Sequence, residues 1–424
     1  MRVMKWSMIA LAVSASTSQF AMASSQEESK GFFEDQSLNV LSRMLYMNRD
    51  FKNEASTRQS YREEAGLGVR AMYESGFTQG TVGVGVDAFA FGSARFDGGT
   101  GRAGNGLFAA DSDGNLEDTQ SKAGGAVKFR LSDTVLKYGN QITTSPVFST
   151  DDSRLLPEVA TGTLITSNEI KGLELSAGHF TAMSAQTGMG RDSINGAGNP
   201  GLKSADIAGA TYQFTDNFVA GVAASDVEDY FKKKYINLNY TLPINEDQSL
   251  NFDFNGYDSK SQGQELSGDI DNRIWSLAAA YAIGAHKFTL AHQRSSGDSG
   301  YAYGVDGGGT IFLANSVQYS DFNSEDERSW QARYDLNMKT YGVPGLSFMT
   351  RYVTGDNITT GGVEGKEHEW DFETKYVMQS GPAKDLSFRI RSAFYRTNTA
   401  HTDSVSVRDN NDFRFIVEYP LSIL

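Results

Sequence analysis

The stretch YINLNYTLPINEDQSLNFDFNGY, residues 235–257, decides how the chain is read. Ile236, Leu238 and Tyr240 alternate with Asn237 and Asn239; beyond the short turn PINEDQ, Leu250, Phe252 and Phe254 alternate with Asn251, Asp253 and Asn255. Alternation at period two on both sides of a turn predicts two neighbouring antiparallel strands, each with one apolar wall and one wall of amides and a carboxylate. Such a polar wall suits a water-filled lumen; the outer face of a soluble sheet would carry the same pattern.

Working outward, the same grammar repeats. IWSLAAAY sets Trp275, Leu277 and Tyr281 on one side, and the brief IGAHK leads into FTLAHQR. A long polar segment follows, SSGDSGYAYGVDGGG, and then LNMKTYGVPGLSFMTRYV reads as strand, compact turn and strand before the longer TGDNITTGGVEGKEHE. Short turns at one end and long loops at the other are the asymmetry of an outer-membrane barrel. A mature chain of about 400 residues, at roughly 22 per strand with its connection, gives about 18 strands. The expected fold is therefore all-β, a transmembrane antiparallel β-barrel over residues 24–424 without a domain boundary, its closure leaving no sheet edge exposed.

Composition narrows the alternatives. Residues 1–23 carry Arg2 and Lys5, an apolar segment around Met8 to Val13, and Ala21-Met22-Ala23, which is the plan of a secretory signal peptide cut after Ala23. Cysteine is absent, so neither disulfides nor thiolate chemistry are open to an exported chain of this kind. The formal net charge of -14 makes nucleic acid a poor partner. Mean hydropathy is -0.40, and no apolar run after the signal is long enough for a membrane helix. Abundant glycine, 12% aromatics and only 7 prolines favour strands joined by glycine-rich loops.

Motifs for other chemistries fail on context. Gly99 to Gly104 spells GxGxxG in a polar loop with no following helix. DSDGNLED, from Asp111 to Asp118, has its glycine misplaced for a calcium loop, and Lys122 stands where a bidentate glutamate is needed. The five histidines show no HExxH spacing, and no G-x-S-x-G elbow occurs. No enzyme, metal or cofactor is expected.

Several phrases together resemble the OprD family of outer-membrane porins. GFFEDQSLNVLSRMLYMNRDF looks like that family's first strand, and VKFRLSDTVLKYGNQ with DSRLLPE resembles a strand and an inward-folded third loop. HQRSSGDSGY and FLANSVQYSDF look like the seventh loop; SGPAKDLSFRIR and EYPLSIL look like the last hairpin. The chain ends Leu421-Ser422-Ile423-Leu424, whereas many barrels end on an aromatic residue. The resemblance implies a barrel of about eighteen strands narrowed by inward-folded loops, a selective channel for small carboxylate-bearing solutes, and a ladder of Arg and Lys down its lumen.

Parity tests which cations could form that ladder. In DLSFRIRSAFYR, residues 385–396, Arg389 and Arg391 alternate with Phe388 and Ile390. Arginine facing lipid would cost about 2–4 kcal/mol at the midplane, so these side chains are assigned inward. Lys128 and Arg130 alternate with Val127, Phe129 and Leu131, Arg414 with Phe413 and Phe415, and Lys375 stands opposite Phe372 and Tyr376. Arg351 shares its face with Met349, while Arg43 and Arg49 rest on the resemblance. So do Arg154 in the third loop and Arg294, Ser296, Asp298, Ser316 and Asp321 in the seventh; Arg294 has the parity of Phe288 and Leu290, so alternation gives it no support. Each cation has an alternative role, paired with an acidic neighbour and purely structural. Asp298 and Asp321 either meet the amino group of a zwitterion or merely close loop turns.

The expected function is passive diffusion of small carboxylate solutes, amino acids or small organic acids, handed from one guanidinium to the next. A porin for small neutral oligosaccharides is the alternative; a barrel-embedded hydrolase would need a nucleophile and base for which the sequence offers no pair. Expected partners are the solute, outer-membrane lipid and lipopolysaccharide, and the barrel assembly machinery, with the porin a monomer or weak homotrimer.

Overall fold

The computed structural model describes residues 26–52, 59–99, 101–191, 200–405 and 407–424. The expected signal peptide, residues 1–23, lies outside the described residues. Eighteen antiparallel strands, from Ser37–Phe51 to Asn410–Ser422, pair in chain order among the described residues, and the last pairs with the first. At that seam Arg43 stands opposite Glu418 and Arg49 opposite Asp412, so the sheet is closed and no hydrogen-bonding edge meets lipid.

The opening stretch forms Phe231–Asn245 and Gln248–Ser261, with Asn237 opposite Asn255 and Asn239 opposite Asp253. Ile236, Leu238 and Phe252 are exposed on the outside, while the amides interlock inside: Asn237 and Asn239 each donate to Asp253 Oδ1 at 2.9 Å. Period two therefore resolves as lumen against lipid. At one end the strands join through pairs such as 171–172, 246–247 and 284–285, where Gly284 at φ +54° supplies the left-handed step a tight turn needs. At the other end the segments 98–118, 142–158, 185–204 and 298–327 are long.

The inward wall is less polar than alternation predicts. Val147 and Phe148 from the 142–158 loop, and Ala302 and Val305 from the 298–327 loop, pack on Phe180, Ile207, Tyr230 and Phe231 of the wall and its connections. Leu45, Met47, Leu107, Phe108 and Leu155 form a second cluster. The barrel's cores lie inside it, beneath folded-in loops.

Candidate functional site

Two loops fold into the lumen and use its charges as anchors. The 142–158 loop reaches the first two strands, where Arg43 Nη1 donates to the carbonyls of Asp152 and Arg154 at 2.8 and 2.6 Å. Arg70 Nε donates to Leu155 O at 2.8 Å and Nη2 to Arg154 O at 2.9 Å, and both arginines pair with the Asp152 carboxylate. The loop lies so close to the wall that a Cβ on Gly68 would stand 2.6 Å from Leu155 O. Arg154 itself donates to Asn105 O at 2.9 Å; burial, then the nearby Arg414 and Arg49, pull its pKa down to about 10, still charged at neutral pH.

The 298–327 loop is held at both sides of the lumen. On one side Lys233 Nζ donates to Ala302 O at 2.6 Å and lies over the Tyr301 ring at 4.5 Å, an aromatic pocket with no carboxylate of the described residues in ion-pair reach of the lysine. Across the lumen, Tyr319 and Ser320 N–H groups donate to Glu369 at 2.9 and 2.8 Å, and Gln318 Nε2 donates to Asp412 at 2.9 Å. Glu158 ties the loops together, accepting from Asp151 N at 2.7 Å and Gly308 N at 2.8 Å; desolvation raises its carboxyl to about 7.

Against this scaffold the cations of the first and last strands divide into two kinds. Arg414 Nε and Arg49 Nε each lie 2.7 Å from Asp412, Arg351 Nε lies 2.6 Å from Asp371, and Arg43 lies 2.7 Å from Glu418. These are closed, short pairs. Arg389 and Arg391 instead share one acid, Glu373, at 3.7 and 3.2 Å, and their Nε atoms have no hydrogen-bond partner. Lys375 stands opposite Arg389 and Arg414 opposite Arg391, which completes a cationic file down one wall. Within it Asp412 holds Arg414, while Lys375, Arg389 and Arg391 have the one interleaved Glu373 among them, so positive charge is in excess there.

The family model "outer membrane porin, OprD family" matches residues 30–423. The chain belongs to the OprD family. Porin D of Pseudomonas aeruginosa is 49% identical over 452 residues, with all of both chains covered. The crystal structure of P. aeruginosa OprD superposes with a TM-score of 0.80 at 46% identity, covering 95% of this chain and 99% of that one. That of P. aeruginosa OpdK with vanillate superposes at 0.83 and 34% identity, covering 92% and 100%. This OprD-family chain is thus an outer-membrane porin, a passive channel and not an enzyme.

Other expected site residues of the OprD-family barrel stand elsewhere. Lys128 and Arg130 face inward at the short-turn end but are buried: Lys128 lies 2.7 Å from Asp87, and Arg130 donates to Gln26 at 2.8 Å beneath the Phe77 ring. Arg294 and Ser296, expected at the constriction, require correction. Both lie on the outer wall with exposed Phe288 and Leu290, because a strand continuing in register cannot turn every second side chain inward at its end. Ser296 Oγ donates to the Arg273 carbonyl at 3.1 Å. Asp298 is exposed at the root of the 298–327 loop, where its N–H donates to Asp271 O.

Asp321 does sit inside, yet both its oxygens are engaged, by Ser316 Oγ at 2.5 Å and Tyr303 O–H at 2.6 Å, and desolvation raises its pKa. That geometry supports the loop-closing role. The Asp111 carboxylate is likewise taken, by the N–H groups of Asp113 and Asn115, and among the described residues no acid or histidine group could hold a metal. Sequence reasoning missed Arg70, Lys233 and the acid file Glu367, Glu369, Asp371 and Glu373. The last was visible, since those acids alternate with His368, Trp370 and Phe372.

Proposed function

We propose that this porin gives passive, substrate-selective diffusion to small carboxylate-bearing solutes, amino acids or small organic acids, with Arg389 and Arg391 as the contact sites and Lys375 and Arg414 flanking them. The observation that carries the reading is the single Glu373 shared by two guanidinium groups whose side chains keep 29% and 20% exposure, which supports their outer nitrogens as donors for a passing carboxylate. A guanidinium grips a carboxylate through two parallel N–H bonds, and rungs this close let one site hand the anion to the next without a deep trap. Vanillate, named with OpdK, is itself a carboxylate. Arg43, Arg49, Arg154 and Arg351 act chiefly by fixing loops and counter-ions around that path. Assembly by the barrel machinery, as a monomer or weak homotrimer, belongs to the same proposal, as does removal of residues 1–23 on export.

A second reading draws on the opposite wall, where Tyr235, Asn237 and Gln141 line a cavity of about 280 Å³. Amides and a tyrosine suit neutral hydroxylated solutes such as small oligosaccharides. Reversal potentials across a salt gradient in planar bilayers separate the two. The carboxylate reading expects anion preference that increases in Glu373→Gln; no ion preference, with sugar block unaffected by that substitution, favours the oligosaccharide.

A further inference from the structure

The outward position of Arg294 leaves a cluster of cations on the lipid-facing wall unexplained. Arg294 stands directly opposite Arg328 on the adjoining strand, and both are exposed. Like charges facing each other across a strand pair repel, so sheet stability does not account for the pair. Among the described residues no carboxylate lies within ion-pair distance of Arg294 or Arg328, although Asp356 is the register partner of Arg328. Next along the same outward face, Arg273 stands opposite Ser296, and Arg273 meets Asp258 only at 3.6 Å. Lys234, the other neighbour of Asp258, is also exposed. The patch therefore spans five adjacent strands with cations in excess.

Its height on the barrel identifies what could cover it. Arg294 lies eight residues beyond His286, the first residue of a strand that leaves a two-residue turn, and the 298–327 loop begins just past it. At roughly 3.3 Å per residue and a tilt near 40°, that is about 20 Å above the periplasmic turn, close to the outer limit of an apolar band about 25 Å tall. An aromatic group marks the boundary. Trp275 stands opposite Arg294, and His292 stacks on the exposed Trp330 at 4.2 Å and meets Trp275 edge-on at 5.4 Å. Tryptophan collects at headgroup level, so Arg294 and Arg328, level with Trp275 and one outward step beyond Trp330, face headgroups of the outer leaflet.

We propose that Arg294, Arg328, Arg273 and Lys234 form a binding site on the outer wall for the phosphate groups of a phosphorylated glycolipid in the outer leaflet. Two opposed guanidinium forks offer paired N–H donors to phosphate oxygens, and a bound dianion turns their mutual repulsion into shared attraction. The site is separate from the solute path, since the intervening parity directs Gln293 and Ser295 inward.

The test uses the full-length porin in detergent, titrated with bisphosphorylated lipid A and followed by native mass spectrometry. Wild type is expected to bind lipid A at least fivefold more tightly than Arg294→Gln/Arg328→Gln and at least fivefold more tightly than it binds dephosphorylated lipid A, with Arg294→Lys/Arg328→Lys recovering most of the difference. Heat-modifiable migration confirms that each variant is a folded barrel, and single-channel conductance stays at the wild-type value. Equal affinity in wild type and the Gln variant overturns the site. Phosphatidylglycerol binding as tightly as lipid A, with the same dependence on the two arginines, overturns the assignment to a glycolipid of the outer leaflet.

Discussion

Glu373 is the residue on which the balance of the cationic file turns. It lies 3.7 and 3.2 Å from two guanidinium groups, so Glu373→Gln frees both and should strengthen current block by small carboxylates severalfold in planar bilayers; unchanged block would show the pair does not meet solute. Asp412 is the opposite case, fully buried between Arg49 and Arg414. Removing one partner of a buried pair leaves the other charge uncompensated, so Asp412→Asn should cost about 3–5 kcal/mol in denaturant unfolding, with little loss if the arginines reach water. Parity made the inward direction of Arg389, Arg391 and Arg414 legible from sequence alone. The counter-ion of Arg389 and Arg391 was not, because Glu373 comes from the neighbouring strand and register is a property of the folded sheet, whereas Asp412, the partner of Arg414, stands two residues away on the same strand.

The strands were legible as elements because lipid on one side and loops or water on the other impose alternation on every pair. The loops were legible only as long polar segments. What fixes the 142–158 loop is Arg70 together with Arg43, whose contacts run to backbone carbonyls and Asp152, and carbonyls leave no trace in sequence. Arg70→Ala should loosen that loop and raise single-channel conductance with added flicker; an unaltered trace would mean that Arg43 and the apolar contacts of Leu155 suffice. Glu158 adds a pH dependence. Its folded-state carboxyl is raised to about 7 by burial, above the ordinary value of 4.5, so the docked loop holds a proton that the released loop gives up between those values. Docking therefore weakens as pH rises from about 4.5 to about 7. Recordings between pH 5 and pH 8 should show more open-channel noise at the higher pH, and Glu158→Gln should flatten the profile.

For the molecule as a whole, closure of the sheet sets the division of labour. The first and last strands meet through Arg43–Glu418 and Arg49–Asp412, so the seam of the barrel is also part of the charged wall of its lumen. An acidic net charge is compatible with the proposed anion path, since exposed rim acids stand in high dielectric while lumen cations act in a lower one. The most direct measurement is block of single-channel current by a panel of small carboxylates, amino acids and neutral sugars in wild type and in Arg389→Gln/Arg391→Gln. Carboxylate block that weakens at least tenfold in the double variant, with conductance retained, is the predicted result. Block by carboxylates that is indifferent to both substitutions would contradict the arginine path.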